Sequence, residues 1–505
     1  MDETQQRSIA APEPIQSFTG SARQISLGKE GHLAAGRRKI VPRAGLDPAH
    51  QRAFSQKAGF ERKWLPLVQL LAAVPSLTLQ ENFELQYRRA RDSGIAHGGS
   101  QPPRFHPANF RSDFRGPGAR LCSEINVRAK SIGIVGGGIG GIATAVALHQ
   151  AGFNAVVYEK AERLREVGVG MMLWPNATRV LRELGLLEKV LAYSGPNTHF
   201  LVRSSSGKVL MNIALGQFDV PAVCARRADL LAVLLTALPR ERICLGHDLQ
   251  YLKQSRNKVR LHFSGGLVNE HDAVVGADGI RSRVRSELFG EAEPIYRGYT
   301  VWRGVARYDG DAQPPNSNSE TWGIGKRFGI LNTGHKRFTW YATSNVPSNY
   351  LDAPCGRKRE LHDMFAGWHE PIADLIDASQ EDEILKNGAR DFAPLRRWGD
   401  GLVTLLGDAA HPCTPNLGQG GCMALEDALV LAKCFDREAS LHDALRSYES
   451  LRFHRTRGIQ HRSLLMGRIG QWQNPLLVTG RRVVTRLLSP KLIERNLRRV
   501  YAYQT

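Results

Sequence analysis

The feature that most limits how this chain can fold is Gly136-Gly137-Gly138-Ile139-Gly140-Gly141, a G-x-G-x-x-G run between two segments of different periodicity. Residues 132–135 before it form a continuous apolar run of β type, and residues 142–150 after it are rich in Ala and Leu and read as helix. A second strand is predicted over 155–159, after the turn at Gly152, which completes a βαβ unit. Glycine is needed because the turn is tight, because the backbone must approach a pyrophosphate, and because the helix must pack closely on the strand. The helix N-terminus then offers its free N–H groups to the phosphates. Glu159 closes the second strand about 20 residues on, where a carboxylate accepts hydrogen bonds from ribose hydroxyls. Such a carboxylate favours a nucleotide without a 2′-phosphate, so this site suits FAD or NAD over NADP.

Two later segments have related chemistry. Residues 274–285 run as a β-type stretch into Asp278-Gly279, followed by Ser282 and by Arg281, Arg283 and Arg285. Taken alone, this reads equally well as a strand, a turn and a helix capped by its aspartate. Residues 405–412 end a third β-type run in Gly407-Asp408, with His411 and Pro412 behind; Gly418-Gln419-Gly420-Gly421 then opens an apolar helix containing Glu426 and Asp427. An aspartate at a strand end can bind polyol hydroxyls, and a glycine-rich helix N-terminus can stabilise an anion. His411 is read as a hydrogen-bonding residue and not a catalytic one.

Between these motifs, over 294–393, short aromatic and β-branched stretches alternate with Gly, Pro and Asn turns and predict an antiparallel sheet with a helix near 357–377. The chain after Gly420 reads as helical, broken at Asn474-Pro475 and Ser489-Pro490. The expected division is a basic extension over 1–128, a nucleotide-binding domain over 129–200, 222–293 and 394–455, a substrate domain over 201–221 and 294–393, and a helical tail over 456–505.

The three motifs, in this order, resemble the dinucleotide fingerprint, the Asp-Gly motif and the Gly-Asp motif of class A flavoprotein monooxygenases, over about residues 131–500. The resemblance implies an α/β fold: a Rossmann-like FAD-binding domain of the glutathione-reductase type, an inserted antiparallel substrate sheet and a helical C-terminal tail. It implies that Gly136, Gly138, Gly140 and Gly141 bind the FAD pyrophosphate, and that Glu159 and Lys160 hold the adenosine ribose. It also implies that Arg227 and Met172 contact the cofactor, Leu249 meets the adenine through its backbone, and Asp278 serves both FAD and the nicotinamide co-substrate. Asp408 would take the ribityl chain, and Gly418, Gly420 and Gly421 would line the isoalloxazine. The implied chemistry is reduction of FAD by NAD(P)H, addition of O2 at flavin C4a, and transfer of one oxygen atom to an aromatic or unsaturated small molecule. A flavoprotein reductase or dehydrogenase without oxygen transfer is the alternative. Where the urate hydroxylase branch of the family has an aspartate after the Thr-Pro of the Gly-Asp motif, this chain has Asn416, which argues against urate. Trp302, Arg303, Trp322, Phe328, Trp340 and Tyr341 offer themselves either as substrate walls or as plain core.

The net charge of +20 asks whether nucleic acid is a partner. Before Ser131 there are 20 basic and 11 acidic residues, nearly half of that excess, and the rest is diffuse. With no zinc-finger, KH or RNP pattern, nucleic acid is not expected, and steering of anionic cofactors and substrates accounts for the charge. No catalytic nucleophile or metal site is expected. Seven scattered cysteines without a C-x-x-C pair point to a reducing, cytoplasmic setting. No run is long and apolar enough to span a membrane. The basic tail, with Arg481, Arg482, Arg486, Lys491, Arg495, Arg498 and Arg499, leaves a peripheral lipid contact open beside a domain or dimer contact, in a monomer or homodimer. Removing residues 1–125 is expected to leave flavin binding intact, and a truncated chain that fails to fold would place the extension inside the domain.

Overall fold

The computed structural model describes residues 130–505 apart from 165–168, 312 and 489, so the basic extension lies outside the described residues. Five short strands form a parallel sheet in the order Val403–Leu405, Ala273–Gly276, Ser131–Val135, Asn154–Glu159, Ile243–Leu245. Within Ser131–Val135, the run from Ile132 onward is apolar and buried on both faces, as a strand sandwiched between helices must be. The helix Ile139–Gln150 covers it and packs on a second helix, Gly420–Arg437. Parallel strands end on one common edge of their sheet, and here that edge carries the glycine turn, Glu159, Asp278 and Asp408 together.

A second sheet has seven strands in the order Leu385–Asp391, Ile295–Arg307, Arg337–Ser344, Lys326–Asn332, Ser317–Trp322, His199–Ser204, Val209–Ala214. It corrects the expected antiparallel sheet in one respect, because His199–Ser204 runs parallel to Ser317–Trp322. No hairpin joins these two strands. The chain passes through the other sheet between them and can re-enter in the same direction, as parallel neighbours require.

Side chains alternate across this second sheet. Trp302, Phe328 and Trp340 point outward into a core with Phe365, Ile372 and Ile376, so they are not substrate walls. Trp322 packs in a separate cluster with Val202 and Leu210. The helix expected near 357–377 is two, Arg357–Phe365 and Ile372–Asp377, interrupted where Gly367 takes φ +74.

A single helix, Leu441–Gly470, runs through the boundary expected at 455/456. Arg481 is buried against its C-terminal end, donating to the Ile469 and Gly470 carbonyls at 2.8 Å each and to the Gly323 carbonyl at 2.7 Å. One arginine of the basic tail is thus an interior cap on a helix terminus and is unavailable to lipid. Farther on, Tyr501 stacks on Trp174 with ring centroids 4.4 Å apart. Among the described residues no helix is long and apolar enough to cross a membrane.

His271 locks the opening of the parallel sheet. Its Nδ1 meets Ser131 Oγ at 2.7 Å and its Nε2 meets the Tyr158 hydroxyl at 2.9 Å. Gly133 makes room for the ring, since a Cβ there would sit 2.7 Å from His271 Cδ2. Burial pulls the imidazole down to about 4, against the opposing field of Asp272. As pH falls from the ordinary value of 6.5, the unfolded chain therefore protonates first and binds more protons than the native one. Stability should fall between about pH 6.5 and about pH 4, and His271→Gln should flatten that slope in a series of thermal midpoints against pH.

Candidate active site

The glycines of the fingerprint do different work. Gly136 takes φ +108, and a Cβ there would lie 2.5 Å from the Ala277 carbonyl oxygen. A Cβ on Gly141 would lie 1.9 Å from the Gly136 oxygen, so the turn and the helix that follows touch through bare backbone. Gly140 is wedged against Leu406 and Ala424, with its Cβ position 3.0 Å and 3.3 Å from their side chains. Gly138 is unlike these: it is exposed, its φ of −75° suits any residue, and a Cβ would meet nothing within 4 Å. The fold does not require glycine there, whereas a ligand backed onto the helix N-terminus would. Glu159 braces the turn, accepting from Gly137 N at 2.7 Å and Ala161 N at 3.0 Å. Each of its oxygens keeps a second lone pair for ribose hydroxyls. Lys160 beside it is exposed.

Asp278 uses one carboxylate oxygen to cap the helix Arg283–Phe289, accepting from Arg283 N at 2.7 Å and Val284 N at 3.1 Å. Its other oxygen, Oδ1, is buried without a hydrogen-bond partner, and burial raises the carboxyl above its ordinary range. A buried acceptor left over by the fold is what a ligand hydroxyl or a bound water would complete. Leu249 is buried at the start of the strand Leu249–Gln254, which Arg283 ties to this loop through the Gln250 carbonyl at 2.6 Å. Arg285 joins this loop to the next motif. It donates to the Ala409 carbonyl at 3.0 Å and to the Ile280 carbonyl, and its guanidinium stacks on Phe392 at 4.1 Å.

Asp408 follows Gly407, which takes φ +60. The side chain is reached by solvent, yet the surrounding protein raises its carboxyl, opposed by His411, Arg227 and Arg285. A Cβ on Gly420 would lie 3.7 Å from Asp408 Oδ1, and one on Gly421 would lie 2.2 Å from Met171 Cε, so the helix N-terminus approaches the aspartate closely. That helix starts with no side-chain cap, leaving its first N–H groups for a ligand. The strand Gly170–Leu173 brings Met172 alongside, its carbonyl 3.5 Å from Cys422 Sγ.

Behind this loop lies a buried charge network. Asp427 accepts from Gly407 N at 3.1 Å, from His411 Nε2 at 2.6 Å and from Arg452 Nε at 2.6 Å. Glu426 pairs with Arg452 at 2.6 Å and Arg455 at 2.5 Å and accepts from Asn176 at 2.6 Å. Burial alone would raise the Asp427 carboxyl, but His411 and Arg452 outweigh it and hold the group at about 2. His411 is thus a hydrogen-bonding residue of the scaffold.

The inner face of the seven-stranded sheet faces this cleft. Cross-strand register sets Arg303, Tyr341, Gly329 and Glu320 in one line, and the Tyr341 ring lies across Gly329, where a Cβ would be 2.1 Å from Cε1. Arg303 has no hydrogen-bond or ion-pair partner among the described residues, and burial lowers its guanidinium, in the fields of Tyr299, Arg227 and Tyr341. Arg327 is paired with Glu320 at 2.9 Å and donates to Asn416 Oδ1 at 2.7 Å, which also accepts from the Tyr299 hydroxyl at 3.1 Å. A cavity of about 230 Å³ opens beside Tyr299 and Asn416.

Arg285, Glu426, Asp427, Arg452 and Tyr299 were not among the expected site residues. The adjacent carboxylates Glu426 and Asp427, inside an otherwise apolar helix, were a legible signal, since two buried charges need partners. Nothing local marks Arg452 or Tyr299.

The family described as FAD binding domain matches residues 129–463. The chain is 36% identical to the aurachin C monooxygenase/isomerase of Stigmatella aurantiaca, covering 72% of this chain and 96% of that protein. It is 31% identical to the FAD-dependent urate hydroxylase of Klebsiella oxytoca, over 65% and 86% of the two chains. The crystal structure of Klebsiella pneumoniae HpxO complexed with FAD and uric acid superposes with a TM-score of 0.70 at 26% identity, covering 75% of this chain and 98% of that one.

The two kinds of glycine separate in an experiment. Gly141→Ala should destabilise the fold by about 3 kcal/mol or more, because neither backbone can move aside. Gly138→Val should leave the thermal midpoint of the apoprotein unchanged and abolish retention of FAD; retention at the wild-type level would remove Gly138 from the site.

Proposed function

The chain belongs to the FAD-binding family of flavoprotein monooxygenases, and on that premise we propose how its site holds the cofactor and what it accepts. It is an FAD-dependent oxidoreductase that hydroxylates or epoxidises a small molecule, a reading its relatives favour over a reductase or dehydrogenase without oxygen transfer. Bound FAD supplies the redox chemistry, accepting electrons from NAD(P)H and activating O2.

The residues present fit that cofactor. Open space over Gly138, the unpartnered Oδ1 of Asp278 and the uncapped helix N-terminus at Gly420 support a dinucleotide lying along the strand ends. We assign the pyrophosphate to Gly136, Gly138, Gly140 and Gly141, the adenosine ribose to Glu159 and Lys160, and the adenine to the backbone at Leu249. The ribityl chain falls to Asp408 and Arg227, and the ring to Met172, Gly418, Gly420 and Gly421. Asp278 completes the diphosphate side. The strand order and the fingerprint turn support a Rossmann-like domain of the glutathione-reductase type. Unpaired cysteines support a cytoplasmic setting.

The single observation that carries the substrate reading is the inner sheet face. Burial raises Tyr299 and holds Tyr341 well above its ordinary value, so both hydroxyls stay protonated near neutral pH, with that of Tyr299 spent on Asn416 Oδ1. Arg303 adds a cation without a partner among the described residues, while Asn416 and Glu320 are spent on Arg327. The face therefore offers a substrate the Arg303 guanidinium and, among the described residues, no free base. It suits a flat aromatic or unsaturated substrate that presents an acceptor or anionic oxygen. With Asn416 neutral and fully hydrogen-bonded, no carboxylate there can take a proton, which argues against urate.

Purified protein should be yellow and should consume O2 and NAD(P)H only when a substrate of this class is present. A reduced product formed without oxygen would sink the reading. Arg303→Met should raise the KM for that substrate roughly tenfold, the weight of one hydrogen bond to a charged group, with FAD content unchanged.

A further inference from the structure

Away from the flavin cleft, a second cavity of about 450 Å³ opens between the seven-stranded sheet and the end of the strand Ala222–Arg226, lined by Tyr193, Arg226, Asp229, Arg307, His335 and Arg337. Three guanidiniums surround it and one carboxylate. That carboxylate is engaged: Asp229 holds Arg226 in a bidentate pair at 2.6 and 2.9 Å. Arg307 and Arg337 stand directly opposite each other in the antiparallel register of Ile295–Arg307 and Arg337–Ser344. Like charges at such a position repel, and most sheets avoid them. Neither has a carboxylate partner among the described residues, and Arg337 Nε is buried with no hydrogen bond. The turn that delivers Arg337 is itself strained, with His335 at φ +55 and Lys336 at φ +56, the left-handed region that non-glycine residues rarely occupy. Repulsion, an orphaned donor and a strained turn in one place are the marks of a site built for an anion.

The position indicates which anion. Arg226 is followed directly by Arg227, whose charge acts on the Asp408 carboxyl, so the cavity lies one residue along the chain from a group that faces the flavin site. The strand Gly170–Leu173 connects them as well, with Gly170 opposite Arg226 and Met172 near the helix N-terminus. The reaction needs a second dinucleotide, and the described residues contain no second glycine-rich fingerprint to hold its phosphates. Arginine side chains are the usual substitute for such a turn.

We infer that the Arg226–Arg307–Arg337 cavity binds a phosphate of the nicotinamide co-substrate, either its 2′-phosphate or its bridging pyrophosphate. The inference rests on the monooxygenase reading above. The 2′-phosphate source predicts a preference for NADPH, and the pyrophosphate source predicts none.

The test follows flavin reduction in the holoenzyme without oxygen, in the presence and absence of NADPH or NADH, for the wild type, Arg307→Ala and the Arg307→Ala/Arg337→Ala double variant. Arg307 is exposed, so its replacement leaves the core untouched, and FAD content reports on the fold of each variant. The expected result is a Kd for NADPH raised roughly tenfold by Arg307→Ala and further by the double variant, with the limiting reduction rate little changed. If the affinity for NADH is unaffected, the 2′-phosphate is the occupant; if both weaken together, it is the pyrophosphate. Competition by 2′,5′-ADP in the wild type, lost in the double variant, gives the same answer without turnover. Unchanged Kd values in flavin-replete variants would overturn the site while leaving the monooxygenase reading standing. A wild-type holoenzyme that neither nicotinamide reduces would overturn both.

Discussion

Everything in the cofactor cleft depends on one backbone contact, the approach of the Gly141 α-carbon to the Gly136 carbonyl. A methyl group on Gly141 would fall 1.9 Å from that oxygen. The contact sets the helix Ile139–Gln150 hard against the end of its strand, with its first N–H groups directed over the C-terminal edge of the parallel sheet. The sheet order then does the rest. Val403–Leu405, Ala273–Gly276, Ser131–Val135 and Asn154–Glu159 lie side by side, so groups as far apart in the chain as Glu159 and Asp408 end on the same edge.

The other half of the cleft is held by charge. Asp427 ties the Gly407 backbone, His411 and Arg452 together, and Glu426 adds Arg455 and Asn176. This network anchors the Gly-Asp loop to two helices at once. Removing one partner of such a buried set typically costs about 3–5 kcal/mol, because it strands the remaining charge. The network explains how Asp408 can stand without a side-chain partner among the described residues: its loop is fixed from behind, and its carboxyl remains available. Arg285 performs the same task between the Asp-Gly and Gly-Asp loops through the Ala409 carbonyl.

The seven-stranded sheet shows how one alternating pattern serves two purposes. Trp302, Phe328 and Trp340 supply the outer core, while their neighbours Arg303, Arg327 and Tyr341 form a polar inner face over the cleft. A shift of one residue in register would exchange the two sets. At the end of the same strands, Arg307 and Arg337 meet with no carboxylate partner of their own among the described residues, a feature that packing alone does not explain.

The sequence by itself determined what was local. The glycine turn, Glu159, the Asp-Gly and Gly-Asp loops and the helix at Gly420 are each written in a few consecutive residues, because turns, caps and strand ends are set by short-range geometry. The βαβ unit and the family resemblance follow from them. What only the tertiary structure decided was anything that depends on register or on distant pairing. Whether Trp302 or Arg303 faces the cleft turns on a two-residue period with no local marker, and the parallel entry of His199–Ser204 depends on a long excursion through another sheet. The burial of Arg481 depends on the fold bringing the Gly323 carbonyl, from the distant seven-stranded sheet, up to the end of the preceding helix. The glycine run on which the reading rests thus announced the ligand, and the remaining sheet edges and charge pairs decided where each atom of it could be held.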